Sequence, residues 1–219
     1  MSLLSDPLAP YRRKRDFRRT PEPSGTTATG RSGDARRFVV QRHRARRLHY
    51  DFRLEIDGVL VSWAVPKGPT LDPAVRRAAF HVEDHPLAYF DFEGVIPAGE
   101  YGGGDVIVWD AGTWQTGDDP AQAVADGELH LDIHGEKLRG RFALVRTRGG
   151  RSGKDEWLLV HKRDEHAVAG WDAEQHPHSV LSGRTNEQVR ADPDRLWRSD
   201  LPADRASIPL RVAAANADE

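Results

Sequence analysis

The chain has no cysteine and one methionine in 219 residues. Without cysteine there can be no disulfide, no thiolate nucleophile, and no sulfur-ligated zinc or iron–sulfur site. Long apolar runs are also missing: none approaches the roughly 18 residues of a membrane helix. The N-terminus, MSLLSDPLAPYRRKRDF, has no apolar core of signal-peptide length, so no export signal is read and no membrane partner is expected. A cytoplasmic location is the expectation that fits both absences. Charge of one sign is not in excess either, since the net value is −2. Its distribution is uneven, however. Residues 1–37 carry nine Arg/Lys against four Asp/Glu, and residues 42–53 carry five Arg against one Asp. From charge alone, a solvated arm and a surface that steers anions remain equal readings.

What is present reads as short strands. FVVQRH, LHYDFRLEI, VLVSWAV, AAFHVED, GDVIVWD, ELHLDI, RFALVRT and EWLLVHK are rich in β-branched and aromatic residues, and Gly, Pro and Asp turns separate them. IDGVL supplies an Asp-Gly hairpin turn. About eight strands at this spacing predict a mostly β fold, either a barrel or a sandwich. PAQAVADG, residues 120–127, is the best short helix, and residues 186–197 are a second candidate. SGTTATGRSGDAR, residues 24–36, reads as a flexible connection, and the last ten residues as frayed. There is no internal repeat.

The most informative stretch is RHRARRLHYDFRLEIDG, residues 42–58. Alternation puts Tyr50, Phe52, Leu54 and Ile56 on one face and His49, Asp51, Arg53 and Glu55 on the other. If ARRL turns the chain, His43 becomes the cross-strand neighbour of His49. His43, His49 and Asp51 would then form an oxygen and nitrogen donor set suited to Mn²⁺, Fe²⁺ or Zn²⁺, with positions left for water or substrate. The plainer alternative is the polar face of an edge strand.

In FHVEDHPLAYFDFEG, residues 80–94, the same period places His81, Glu83 and His85 together, opposite Phe80 and Val82. A histidine there is suited to proton transfer near neutral pH. The glycines of IPAGEYGGGD, residues 96–105, are read as turn formers rather than a phosphate cradle, because the Lys-Ser/Thr of a P-loop is absent. Trp63, Trp109 and Trp157 lie inside apolar strands and are read as core. Ser62 lacks the following Gly of a nucleophile elbow.

Residues 38–73 (FVVQRHRARRLHYDFRLEIDGVLVSWAVPKGPTLDP) and 81–110 (HVEDHPLAYFDFEGVIPAGEYGGGDVIVWD) strongly resemble the 3′-phosphoesterase domain of bacterial DNA ligase D. YRRKRDFRRTPEP upstream, and EWLLVHKRDE and SVLSGRT downstream, extend the likeness to roughly residues 9–186. The resemblance implies a compact β-barrel of about eight short strands with one or two short helices and an N-terminal arm. Residues 1–37 would be arm and linker, with 9–23 closing on the active site, 38–186 the domain, and 187–219 a tail that is partly helical or disordered.

It further implies a Mn²⁺-dependent enzyme, with Co²⁺ or Zn²⁺ as substitutes, that heals DNA 3′ ends. Such an enzyme removes a 3′-terminal ribonucleoside and then the 3′-phosphate, leaving a 3′-OH. By the resemblance, His43, His49 and Asp51 hold the metal. Arg53 and His85 contact the scissile phosphate beside Tyr89 and Glu83. Lys67, Arg77 and Ser62 lie on the substrate side, and Arg15, Asp16 and Glu22 belong to the arm. The implied partners are duplex or primer-template 3′ ends and the ligase, polymerase or Ku-type proteins of end joining, with the chain itself a monomer. Two rivals stand beside this reading: a non-catalytic DNA-end-binding module of the same fold, and an Fe²⁺ oxygenase built on two histidines and a carboxylate.

Overall fold

A computed structural model describes residues 6–25, 36–147 and 155–193, and the backbone of 195–197 and 207–209. Most of the 24–36 connection and the last ten residues lie outside the described residues. All eight expected strands form: β1 (Arg36–Arg44), β2 (Leu48–Ile56), β3 (Val59–Val65), β4 (Arg76–Pro86), β6 (Gly104–Gln115), β7 (Glu128–Gly135), β8 (Arg139–Arg146) and β9 (Glu156–His161). A short strand β5 (Gly94–Ile96), not read from the sequence, adds to the edge of β6. Neighbours run antiparallel in the order β1-β2-β3-β4-β9-β8-β7-β6, and β6 returns to pair with β1, which closes the barrel.

Local chemistry explains the elements. Asp57 and Gly58 both have positive φ, 47° and 84°, as the tight turn between β2 and β3 requires. In helix α2 (Pro120–Asp126), Asp119 accepts from the Gln122 N–H, and Gly127 ends the helix in the left-handed region. A first helix, α1 (Ala9–Arg13), was not expected. The helix expected over 186–197 is only half as long. Helix α3 (Asn186–Ala191) stops at Asp192, which is extended (φ −140°, ψ 75°) and precedes a proline, a position that disfavours helical backbone. Arg195–Trp197 is instead strand β10, paired with β11 (Ser207–Pro209).

An eight-stranded barrel is just wide enough for its own side chains. Here Phe52, Trp63, Trp109, Trp114, Phe142 and Trp157 fill it, each at most 1% exposed. The lumen is therefore core, and a site must lie on the outer wall or at a rim. The outer face of β1–β3 is itself covered. The arm and the Leu87–Ile96 excursion bring Tyr11, Tyr89, Phe92 and Ile96 against Val39, Leu60, Val106 and Val108 in a second apolar cluster. Residues 38–43 of β1 are consequently buried on both faces.

Asp110 ties the β7–β8 turn to β6. Its carboxylate accepts from the backbone N–H groups of Glu136 (3.0 Å), Lys137 (3.1 Å) and Leu138 (2.8 Å). Burial pushes its pKa up to about 6 despite these donors. Asp110→Ala would strand three N–H groups. Urea unfolding should show a loss of about 1–3 kcal/mol, the cost of one buried unsatisfied donor, because the Leu138 N–H is buried while those of Glu136 and Lys137 are only partly so.

Candidate metal centre and its cover

Strand register assembles the centre. His43 lies directly opposite His49, and Gln41 opposite Asp51, as the alternation and the ARRL turn required. The two imidazole centroids are 4.7 Å apart. One donor atom from each of His43, His49 and Asp51 falls within 4.8 Å of the others. Asp51 Oδ2 is 3.4 Å from His43 Nδ1 and 3.7 Å from His49 Nε2.

The outer nitrogens decide the tautomers. His43 Nε2 is 2.7 Å from the Gly102 carbonyl, and His49 Nδ1 is 3.0 Å from the Arg47 carbonyl. A carbonyl can only accept, so these nitrogens carry the protons. The lone pairs of His43 Nδ1 and His49 Nε2 then face Asp51. Backbone acceptors of this kind commonly fix the orientation of histidines that ligate metals. The donor set therefore fits one divalent ion.

Asp51 is 7% exposed. Burial alone would favour its neutral form, but the charge of Arg53 outweighs burial and holds its carboxyl far below the usual range. Arg53 Nη2 lies 3.2 Å from Asp51 Oδ2. The rest of its guanidinium is pinned as well. Nε donates to Gln41 Oε1 and Nη1 to Ser62 Oγ, both at 2.9 Å. Gln41 is anchored in turn by donating to the carbonyls of Tyr89 and Phe92. Three of the five guanidinium N–H groups are used, which leaves one on each terminal nitrogen for a ligand. Gln41 was not singled out in the sequence, although counting back by two from His43 puts it on this face.

His85 sits beside this group. Its Nδ1 donates to the Glu83 carbonyl (2.9 Å), so Nε2 presents a lone pair, and Arg15 Nη2 approaches that lone pair at 3.3 Å. Burial, then the charges of Arg53 and Arg15, press the His85 pKa well below its ordinary value. Tyr89 and Tyr11 flank the ring at 5.0 and 4.9 Å.

The arm forms the cover. Arg15 Nε donates to Glu22 Oε1 at 2.7 Å, and both side chains are almost fully buried. Glu22 also accepts from Tyr89 OH (3.1 Å) and Thr20 Oγ1 (2.7 Å). Glu83 receives Lys14 Nζ at 2.9 Å and Arg15 Nη1 at 3.4 Å. Burial opposes the Glu83 charge, but these cations prevail and keep its pKa below the ordinary value.

Other expected residues are placed elsewhere. Asp16 pairs with Arg18, two residues on, at the surface. Lys67 is exposed just past β3, whose last residue, Val65, pairs with Tyr50, so it lies at the His49 end of the wall. Arg77 is opposite Leu159, eight residues before His85, with its Nε buried and unpartnered. Of the expected shared face, Glu83 and His85 both meet Arg15, but His81 does not join them. A bulge shifts the β3–β4 register between Leu60 and Ser62, and His81 turns inward against Trp63 and Trp157. Two arginines of the basic run are internal braces. Arg42 binds Glu174 and buried Asn186, and Arg44 binds Asp105 and Glu187. The glycine loop makes tight turns, as expected. It also supplies the Gly102 carbonyl, which no side-chain pattern could announce.

The family model described as "DNA Ligase D 3'-phosphoesterase domain" matches residues 41–146. The "Multifunctional non-homologous end joining protein LigD" of Pseudomonas aeruginosa is 56% identical over 184 residues, covering 83% of this chain and 22% of that protein. The LigD proteins of Mycobacterium tuberculosis and Mycolicibacterium smegmatis are 52% and 44% identical, each over 74% of this chain and 21% of their own length. The chain thus spans about a fifth of the curated relatives it matches. With its closed barrel and its His43–His49–Asp51 group, this chain belongs to the DNA ligase D 3′-phosphoesterase domain family.

Proposed function

We propose that the protein is a Mn²⁺-dependent phosphoesterase that heals DNA 3′ ends. It would remove a 3′-terminal ribonucleoside and then the remaining 3′-phosphate, leaving a 3′-OH for the polymerases, ligases and Ku-type proteins of end joining. The observation that carries this reading is the pair of histidines whose outer nitrogens are tied to backbone carbonyls while their inner nitrogens face Asp51, with Arg53 alongside. His43 Nδ1, His49 Nε2 and Asp51 would hold the ion. When bound, it would polarise a phosphate oxygen and acidify a water.

The other roles follow from the chain's own groups. Arg53, locked by Gln41, Ser62 and Asp51, offers its two remaining N–H groups to the phosphate without reorganising. His85 Nε2 carries no proton in the closed, unliganded arrangement. A dianionic phosphate beside it would offset the Arg53 and Arg15 charges and favour its protonated form. That form can donate to the phosphate or to the leaving oxygen. Arg15, Glu22, Glu83 and Tyr89 line the cover and exclude water. Exposed Arg46 and Arg47, rather than Arg42 and Arg44, are left to contact the nucleic-acid backbone.

The test uses a 5′-labelled primer on a longer template, ending either in one 3′-ribonucleotide or in a 3′-phosphate. With Mn²⁺, both should become 3′-OH ends, and chelator or Asp51→Ala should abolish conversion. Binding without conversion would favour a non-catalytic end-binding module. Arg53→Lys should lower the rate about 100-fold, because one cation cannot keep the Gln41, Ser62 and Asp51 contacts and also the fork. An unchanged rate would contradict the bidentate role.

His85 also predicts a pH effect. Its folded pKa is depressed, so the unfolded chain binds more protons below the ordinary value of about 6.5. Its contribution to stability is present above that pH and is lost as pH falls toward the folded value. In chelator, wild-type protein should lose stability more steeply between pH 7 and 5 than His85→Asn. Equal slopes would mean that His85 is not held neutral.

A further inference from the structure

The loop between β5 and β6 touches both the metal centre and the arm. It is built from two successive turns, in which Glu100 N–H donates to the Pro97 carbonyl and Gly103 N–H to the Glu100 carbonyl. A Cβ at Gly103 would lie 2.7 Å from the Pro97 carbonyl, and one at Gly104 would collide with the Arg44 carbonyl. The compact loop therefore depends on glycine. On its inner side the Gly102 carbonyl accepts from His43 Nε2. On its outer side Glu100 Oε1 meets Arg19 Nη2 at 2.9 Å, and Tyr101 OH accepts from Lys14 Nζ at 3.2 Å. The Arg15 guanidinium lies 5.2 Å from the Tyr101 ring. Tyr101 and Gly102 are consecutive, so one peptide unit separates the arm's contact from the carbonyl that orients His43. Among the described residues, Arg19 is the only side chain that pairs with Glu100.

We propose that Glu100 is a positioning residue that couples closure of the arm to orientation of His43. The Arg19–Glu100 and Lys14–Tyr101 contacts hold the arm against the loop, and the loop holds His43 Nδ1 toward Asp51. A strand end cannot be covered without setting the ligand, and an open arm leaves the ligand looser. The strengths suit a catch that opens. The Arg19 side chain is 66% exposed, and exposed ion pairs are individually weak. The buried Arg15–Glu22 pair lies within the arm, which Arg15 and Lys14 also tie to Glu83 and Glu22 ties to Tyr89, so opening would release those contacts as well. The partner of a ligating histidine's outer nitrogen, by contrast, commonly changes metal affinity about 10- to 100-fold. The proposal rests on the metal reading of His43, His49 and Asp51.

The test compares the full chain with Glu100→Ala, Arg19→Glu and the swapped pair Arg19→Glu/Glu100→Arg. Three quantities are read: amide hydrogen exchange of residues 9–23, Mn²⁺ affinity by calorimetry, and the His43 tautomer in metal-free protein by long-range ¹H–¹⁵N NMR. Each single variant should speed arm exchange about two- to five-fold, the range that losing an exposed pair allows. Each should also weaken Mn²⁺ binding by a similar factor and reduce the Nε2–H tautomer of His43. The swap should restore all three, which a merely structural role for Glu100 would not predict. Faster arm exchange with unchanged Mn²⁺ affinity and tautomer would overturn the coupling, and unchanged exchange would overturn the catch. If wild-type protein binds no Mn²⁺, the metal reading fails, and the tautomer still decides whether the arm positions His43.

Discussion

A carboxylate buried on the outside of a full barrel organises this molecule. Ionised Asp51 would be untenable at 7% exposure without compensation, because desolvating a lone charge costs several kcal/mol. Arg53 supplies that compensation, the two histidines flank the carboxylate, and each of the three needs its own partner. Arg53 requires Gln41 and Ser62, and Gln41 requires the carbonyls of Tyr89 and Phe92. His43 requires Gly102, and His49 requires Arg47. The dependencies run outward from one carboxylate to the glycine loop, the Leu87–Ile96 excursion and the arm. A divalent cation at the inner nitrogens would complete the same charge balance.

Barrel geometry explains why the charge is where it is. Eight strands leave no lumen, and tryptophans occupy what space there is. The inner face of β2 is spent on packing, so chemistry falls to its outer face. An exposed wall would leave Arg53 and His85 in water, where their electrostatic effect on a phosphate is weak. The arm and the excursion after β4 remove that water. The cover uses tyrosines, which pack against the site and still satisfy carboxylates through their hydroxyls, as Tyr89 does for Glu22. On the opposite side of β1, Arg42 and Arg44 bind the C-terminal segment through Glu174, Asn186 and Glu187. The strand that carries His43 is thus braced from both sides.

Much of this was legible in the sequence. Period-two alternation in LHYDFRLEI separated core from site, and a four-residue turn placed His43 opposite His49. The strand count followed from apolar runs and turn residues. Three things were not legible, each for a physical reason. The bulge in β4 breaks the alternation, so His81 faces Trp63 although it shares parity with His85. Arg42 and Arg44 looked like a surface for anions because their partners lie as many as 144 residues away. The carbonyls that fix the histidine tautomers belong to the backbone and have no residue signature. The family resemblance pointed to Arg15 and Glu22, which do reach the site, and to Asp16, which lies at the surface with Arg18.

Asp51, His43 and His49 are placed to form one metal site. Titrating metal-free protein with Mn²⁺ and following the electron paramagnetic resonance signal of the free ion tests it most directly. One tightly bound Mn²⁺ per wild-type chain is expected, with binding at least about 10-fold weaker in the isosteric Asp51→Asn variant, which keeps the shape but not the charge. Equal stoichiometry and affinity in the two proteins would contradict it.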